Sequence, residues 1–259
     1  MSYLDAVIAA KREQLGGVPL QLDAAALERQ FAAQAKSGDL GGSLRLAPTP
    51  RVIPQIGRRS CDDNLRAFDV RVLVRSLVDA GAPAVVVETY ASDGSTSPDL
   101  PPACHTADVP VIWSDLVLCN EQLLSARVAG ARAAVLLVDA LDPPRLRELI
   151  VYARRIGIEP VCRVHDVRGV DRALAAGGGC IEASTRDLEG RDVDVREAVG
   201  LRARVPNKLT YLVRGEFATA EDIAVTQGAQ IDAIVVGKRI MDAADPGMEL
   251  MELAGAVVS

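Results

Sequence analysis

Hydrophobic positions along the chain fall into two alternating patterns. Runs rich in valine and isoleucine recur at VIPQI (52–56), AVVVET (84–89), PVIWSD (110–115), AAVLLVDA (133–140), PVCRVHD (160–166), GCIEAS (179–184), LTYLVRG (209–215) and AIVVGK (233–238). Between them lie stretches with apolar residues at helical spacing, among them VRVLVRSLVDAGA, NEQLLSARVAGA, DPPRLRELIVYARRIG, VRGVDRALAAGG, VREAVGLRARV and TAEDIAVTQGA. Near-continuous apolar runs mark strands buried on both faces, and their alternation with amphipathic segments is the pattern of parallel β/α units. Most of the helical stretches end in the glycine that a helix C-cap favours.

Eight strands and their helices in about 210 residues predict an α/β fold of the TIM (β/α)8 barrel type. A doubly wound sheet fits less well, because no GxGxxG follows the first strand. Residues 1–48 precede that strand, and LDAVIAAKREQL and LDAAALERQFAAQ predict two amphipathic helices capping the open end of the barrel. No linker-like stretch interrupts the pattern, so residues 1–259 are expected to form a single domain, with N-terminal helices over 1–48 and the barrel over 49–259.

Composition removes several function classes. With 259 residues, 49% of them hydrophobic, the chain has ample material for a core. The net charge is −6 and the 29 basic residues are scattered, so no basic stripe offers itself to nucleic acid. Cys61, Cys104, Cys119, Cys162 and Cys180 are widely spaced without a CxxC pair, which argues for reduced thiols in a cytoplasmic protein. The chain opens without a continuous apolar leader, and no later stretch approaches 18 uncharged apolar residues, so neither export nor a membrane is expected. Cysteines and histidines do not cluster, so no metal is expected; nor is a cofactor.

A barrel of this kind keeps its chemistry at the C-terminal ends of the strands and in the loops after them. That rule selects Gln55, Gly57, Arg58, Glu88, Ser114, Asp115, Asp139, Arg163, His165, Ser184, Arg186, Arg214, Glu216, Gly237, Lys238 and Arg239.

At these residues a resemblance enters. The opening LDAVIAAKREQL, the long stretch ARAAVLLVDALDPPRLRELIVYARRIGIEPVCRVHD, and then STRDL, TAEDI, VVGKRIM and DPG resemble, in order and spacing, the indole-3-glycerol-phosphate synthases, barrel lyases of tryptophan biosynthesis. The resemblance implies that the first strand ends in a glutamate and, two residues on, a substrate-holding lysine; here these positions carry Gln55 and Gly57. Ser114 stands where it implies a general-acid lysine, Arg163 where it implies the catalytic glutamate of the fifth strand, and Ser184 where it implies an asparagine. Arg186 matches. On the seventh strand, Arg214, Gly215 and Glu216 occupy the places of glutamate, serine and glycine. The family's phosphate sits on backbone amides after the last two strands, where Gly237 matches and Lys238 replaces a small residue.

Loss of one proton-transferring group typically costs about 10² to 10⁴ in rate, and serine, glutamine and arginine cannot take over that role. The resemblance therefore implies a divergent member whose original synthase activity is gone, binding or converting another anionic small molecule in a biosynthetic pathway. Candidate ligand-holding residues are Arg58, Arg163, Arg186, Arg214, Gly215, Gly237 and Lys238. Arg163 and Arg214 admit two readings, an anion clamp or ion pairs with Glu88, Glu182 or Glu216. Two alternatives remain open: a pseudoenzyme partnering a pathway enzyme, and an authentic synthase whose roles have passed to Glu88, Asp139, Glu182 or Lys238.

Three bland assignments complete the picture. His165 reads as a structural histidine bound by backbone or by Asp166, and His105, on a proline-rich loop, as a surface residue. With aromatic residues at 3%, the wall that would hold an aromatic ring is thin, and Tyr90 is the aromatic left to line it.

Overall fold

A strand that is apolar at every position must bury two faces, and closing the sheet on itself supplies both. The computed structural model describes residues 3–16, 24–34, 40–45, 49–58, 67–90, 96–186 and 194–258. In it β1 (Arg51–Gly57), β2 (Val85–Glu88), β3 (Val111–Ser114), β4 (Ala133–Leu137), β5 (Glu159–Val164), β6 (Cys180–Ser184), β7 (Thr210–Gly215) and β8 (Ala233–Val236) pair in parallel and in sequence order, with β8 closing onto β1. This is the TIM barrel that the apolar runs predict. Strand ends fall within two residues of those runs, except that the fourth run turns after Leu137 into a 3-10 turn over Val138–Ala140.

Alternation along each strand sorts the side chains into two cores. Ile53, Val86, Ile112, Val135, Val161, Leu212 and Val235 point inward and pack the barrel's interior with Ala84, Ala133, Cys180 and Ala233. The intervening residues, Val52, Val85, Val111, Cys162, Ile181 and Ile234 among them, pack outward beneath the helices.

Helices α1 (Tyr3–Gly16), α2 (Ala24–Gln34) and α3 (Leu40–Arg45) precede the barrel. Around it run α4 (Val70–Asp79), α5 (Leu100–Thr106), α6 (Asn120–Ala129), α7 (Pro143–Arg155), α8 (Val167–Ala175), α9 (Val195–Gly200), α10 (Ala220–Ala224), α11 (Lys238–Asp242) and α12 (Pro246–Val258). Their starts are written in acidic and hydroxyl caps: Asp69 accepts from Arg71 N, Asp142 from Arg145 N ahead of two prolines, and Asp166 from Gly169 N. Thr219 and Asp222 form a reciprocal capping box at α10. The glycine stops are real as well; Gly130 after α6 has φ +107°, a conformation other residues adopt only with strain.

Three features depart from the sequence reading. His105 is exposed as expected, but it lies in α5, whose start Pro101 and Pro102 occupy where they forfeit no hydrogen bond. The two N-terminal helices do not share one task. Lys11 of α1 reaches the C-terminal end of β3, whereas α2 packs outside the barrel, with Glu28 accepting from Tyr152 and Arg155 of α7 and the Phe31 ring beneath Arg127 of α6. A third helix, α3, whose LGGSLR carries no clear period, sends Leu40 and Leu44 into the inner core just before β1 begins. Cys61 lies outside the described residues. No described helix is long and apolar enough to cross a membrane.

Candidate functional site

Inward positions at or one step short of the C-terminal ends of the strands form a ring, and its polar members join into two groups. In the first, Gln55 on β1 donates through Nε2 to Glu88 on β2 and accepts at Oε1 from Arg214 Nε at 2.7 Å. Arg214 Nη2 also meets Glu88 Oε2 at 3.4 Å. To do this the Arg214 side chain on β7 spans the end of β8, where Gly237 has no side chain; a Cβ there would stand 3.4 Å from Gln55 Nε2. Gly57 makes similar room, since a Cβ at that position would come within 3.3 Å of Glu88 Cβ.

In the second group, Arg163 on β5 donates through Nε to Oε1 of Glu182, its register partner on β6, and Nη2 reaches Ser114 Oγ on β3 at 3.4 Å. Both Arg163 and Glu182 are buried, Glu182 to 1% exposure. Glu182 Oε2 is buried and has no hydrogen-bond partner among the described residues. The two groups feel each other: burial first, then the Arg163 guanidinium, lowers the pKa of Arg214 from its usual value, against the pull of Glu88 and Glu182. Two arginines and two glutamates thus make a layer of nearly balanced charge, and of the sequence's two readings the ion pairs are present.

Other expected site residues are engaged elsewhere. Arg58 pairs with Asp99 at 2.6 Å and lies over the Phe68 ring. Lys238 pairs with Asp242 one helical turn on, and Arg239 with Glu249 and the Phe217 carbonyl. Ser184 closes a small loop, donating to the Arg186 carbonyl at 2.9 Å and accepting from its N–H at 3.3 Å. Gly215 is required by packing, because a Cβ there would come within 2.9 Å of Thr185 Cγ2. Glu216 is exposed, and beyond it Phe217 is buried at φ +46°. His165 stands 3.9 Å from Asp139, and Asp166 caps α8 by accepting from Gly169 N.

One contributor was not among the sequence's candidates. Lys11 is 2% exposed and pairs with the fully buried Asp115 at 2.7 Å, while Thr89 donates to the other carboxylate oxygen and Trp113 Nε1 donates to Thr89 at 2.8 Å. This network fixes the ends of β2 and β3, and so Glu88 and Ser114 beside them. Its signal was present in the sequence: Lys11 lies four residues after Val7, on the buried face of α1. Trp113 itself faces outward. Behind it a cavity of about 420 Å³ opens between α1, α5 and α6. The polar groups Lys11, Gln122 and Thr89 in its wall are already bonded within the protein.

Fold and mouth together define a (β/α)8 barrel protein of the enzyme-like kind, with a charged ring at the end where such barrels do chemistry. The sequence matches the family model described as indole-3-glycerol phosphate synthase over residues 4–253, and the chain belongs to that family. It is 34% identical to indole-3-glycerol phosphate synthase 2 of Streptomyces coelicolor, across 97% of this chain and 98% of that one. It is 30% identical to the indole-3-glycerol phosphate synthase of Chlorobium phaeobacteroides, across 92% and 94%. Among solved structures, thiamine phosphate pyrophosphorylase from Pyrococcus furiosus superposes with a TM-score of 0.63 at 14% identity, over 83% of this chain and 97% of that one, a likeness of fold alone.

Proposed function

We propose that the barrel mouth is a permuted form of the family's site, holding an anionic small molecule by its arginines, with Glu88 and Glu182 as the carboxylates that position those arginines. One observation carries this reading. At positions 55 and 163, where the resemblance to the synthases implies glutamates, the present side chains are each hydrogen-bonded to a glutamate one strand further round, Glu88 and Glu182. Positive charge has shifted in the same way, since Arg163 reaches Ser114, the position of the implied general-acid lysine. The mouth keeps carboxylates and cations, on different strands.

A guanidinium holds its proton at every working pH, so this arrangement positions and stabilises anions but lacks the lysine's acid. The reaction that suits it is a lyase- or cyclase-type conversion of an anionic substrate in a biosynthetic pathway, driven by positioning and arginine electrostatics. Gly215 and Gly237, free of side chains at the ends of β7 and β8, are where a phosphate would approach the backbone. The free thiols of Cys104, Cys119, Cys162 and Cys180 suit the reducing cytoplasm.

A second reading is formation of indole-glycerol phosphate itself, with Glu88 or Glu182 in the relocated acid–base roles. Relatives named for that activity, at 34% and 30% identity over nearly the whole chain, favour it. Incubation with the family's ribulotide substrate, followed by indole fluorescence, separates the two. The first reading expects the ribulotide to stabilise the protein against heat while turnover stays about 10² to 10⁴ below that of a lysine-bearing family member. Turnover at an ordinary family rate, abolished by Glu182→Gln, would overturn it in favour of the second.

A further inference from the structure

We infer that Glu182 is a specificity-determining acceptor in the mouth, and that the ligand carries a hydrogen-bond donor, a hydroxyl or amine, next to its anionic group. The inference rests on the mouth being a ligand site. Glu182 shares its inward face of β6 with Cys180 and Ser184, and its side chain is 1% exposed. Only Oε1 is held, by Arg163 Nε; Oε2 is buried and has no partner among the described residues. A buried carboxylate oxygen left unbonded is costly, so a group that donates to it is recognised strongly, and one that only accepts is rejected.

The arginines complete the pattern. Arg163 uses Nε and Nη2, and Arg214 uses Nε and Nη2, which leaves Nη1 of each without a partner among the described residues. A buried, unpartnered acceptor on Glu182 thus shares the mouth with unpartnered guanidinium donors, and each charge is already balanced by its neighbour. A bare anion would answer half of this surface. A carboxylate with an adjacent hydroxyl or ammonium answers all of it, its oxygens on the arginines and its donor on Glu182 Oε2.

Four probes with the same carboxylate and phosphate but different second carbons test this by titration calorimetry. They are 3-phosphoglycerate (hydroxyl), O-phosphoserine (ammonium), 3-phosphohydroxypyruvate (oxo) and 3-phosphopropionate (methylene). The expected result is that the hydroxyl and ammonium probes bind at least tenfold more tightly than the other two. In Glu182→Gln, whose amide keeps an acceptor for Arg163 and puts an N–H₂ donor in the place of Oε2, the oxo probe should overtake the ammonium probe. Equal affinities for all four in the unaltered protein, as a bridging water on Oε2 would produce, overturn the inference and leave the anion site standing. An unchanged order in a folded Glu182→Gln protein also overturns it. Binding of none of the four overturns the anion site and the inference together. The series on the unaltered protein decides the matter even where the variant does not fold.

Discussion

A primary amide donates on one side and accepts on the other, and Gln55 uses both sides at once, toward Glu88 and from Arg214. A carboxylate at position 55 would face Glu88 with like charge, and an ammonium there would compete with Arg214; the neutral amide satisfies both neighbours. Gln55→Leu should therefore lower stability by about 1–3 kcal/mol, because two charged groups lose a bond each in a half-buried setting. Urea unfolding of Gln55→Leu, Glu88→Gln and the double variant should give a coupling of about 0.5–3 kcal/mol; strict additivity would show that these two side chains do not act together. That Arg163 and Arg214 would need acidic partners was legible in the sequence, since a buried guanidinium demands one. The choice of partners was not. Arg163 meets Glu182 through strand register, and Arg214 meets Glu88 across the gap left by Gly237; barrel shear sets both, and local pattern does not encode it.

At the scale of elements, the strands were legible almost to the residue because each carries a short, mostly apolar run bounded by polar or glycine breaks. The helices were less so. The run containing α5 hid behind its prolines, and α3 is too short to show a period. The assignment of both N-terminal helices to one end failed because amphipathicity says that a helix packs, not against what. The Lys11–Asp115 pair supplies that missing address for α1. Both groups are essentially inaccessible, so removing one leaves the other charged and uncompensated. Lys11→Met should cost about 3–5 kcal/mol of stability, and Lys11→Met combined with Asp115→Leu should recover much of it. Chemical denaturation measures both. Because Asp115 follows Ser114 directly, Lys11→Met should also weaken ligand binding at the mouth. A Lys11→Met protein with unaltered stability would mean that α1 rests on the barrel without fixing it.

For the whole molecule, the double-walled core carries a built-in sensitivity to alkali. Cys162 packs in the outer core and Cys180 in the inner one, both fully enclosed. Burial penalises the thiolate, so the Cys162 pKa is pushed from 9.0 up to about 12, and that of Cys180 is raised well above 9.0 by burial and then by the nearby Glu159. The sign follows from which state holds protons more tightly. The folded protein keeps both thiols protonated while the unfolded chain releases them above its value near 9, so the stability is complete below pH 9 and falls as pH rises toward the folded values. Cys162 removes about 1.4 kcal/mol per pH unit in that window, or about 2 kcal/mol by pH 10.5, and Cys180 adds a loss of the same sign. The Cys162 loss alone is a sizeable share of the 5–15 kcal/mol that typically holds a domain together. Urea midpoints should therefore be flat from pH 7 to 8.5 and drop steeply above 9. Cys162→Ala with Cys180→Ala should start from a lower midpoint, because methyl-sized cavities are left, yet lose less between pH 9 and 10.5. The slope is the diagnostic quantity. Equal slopes in the two proteins would assign the alkaline loss to the other groups whose pKa values are raised by burial, Cys104, Cys119, Tyr152 and Tyr211, and would remove the two strand thiols from the account.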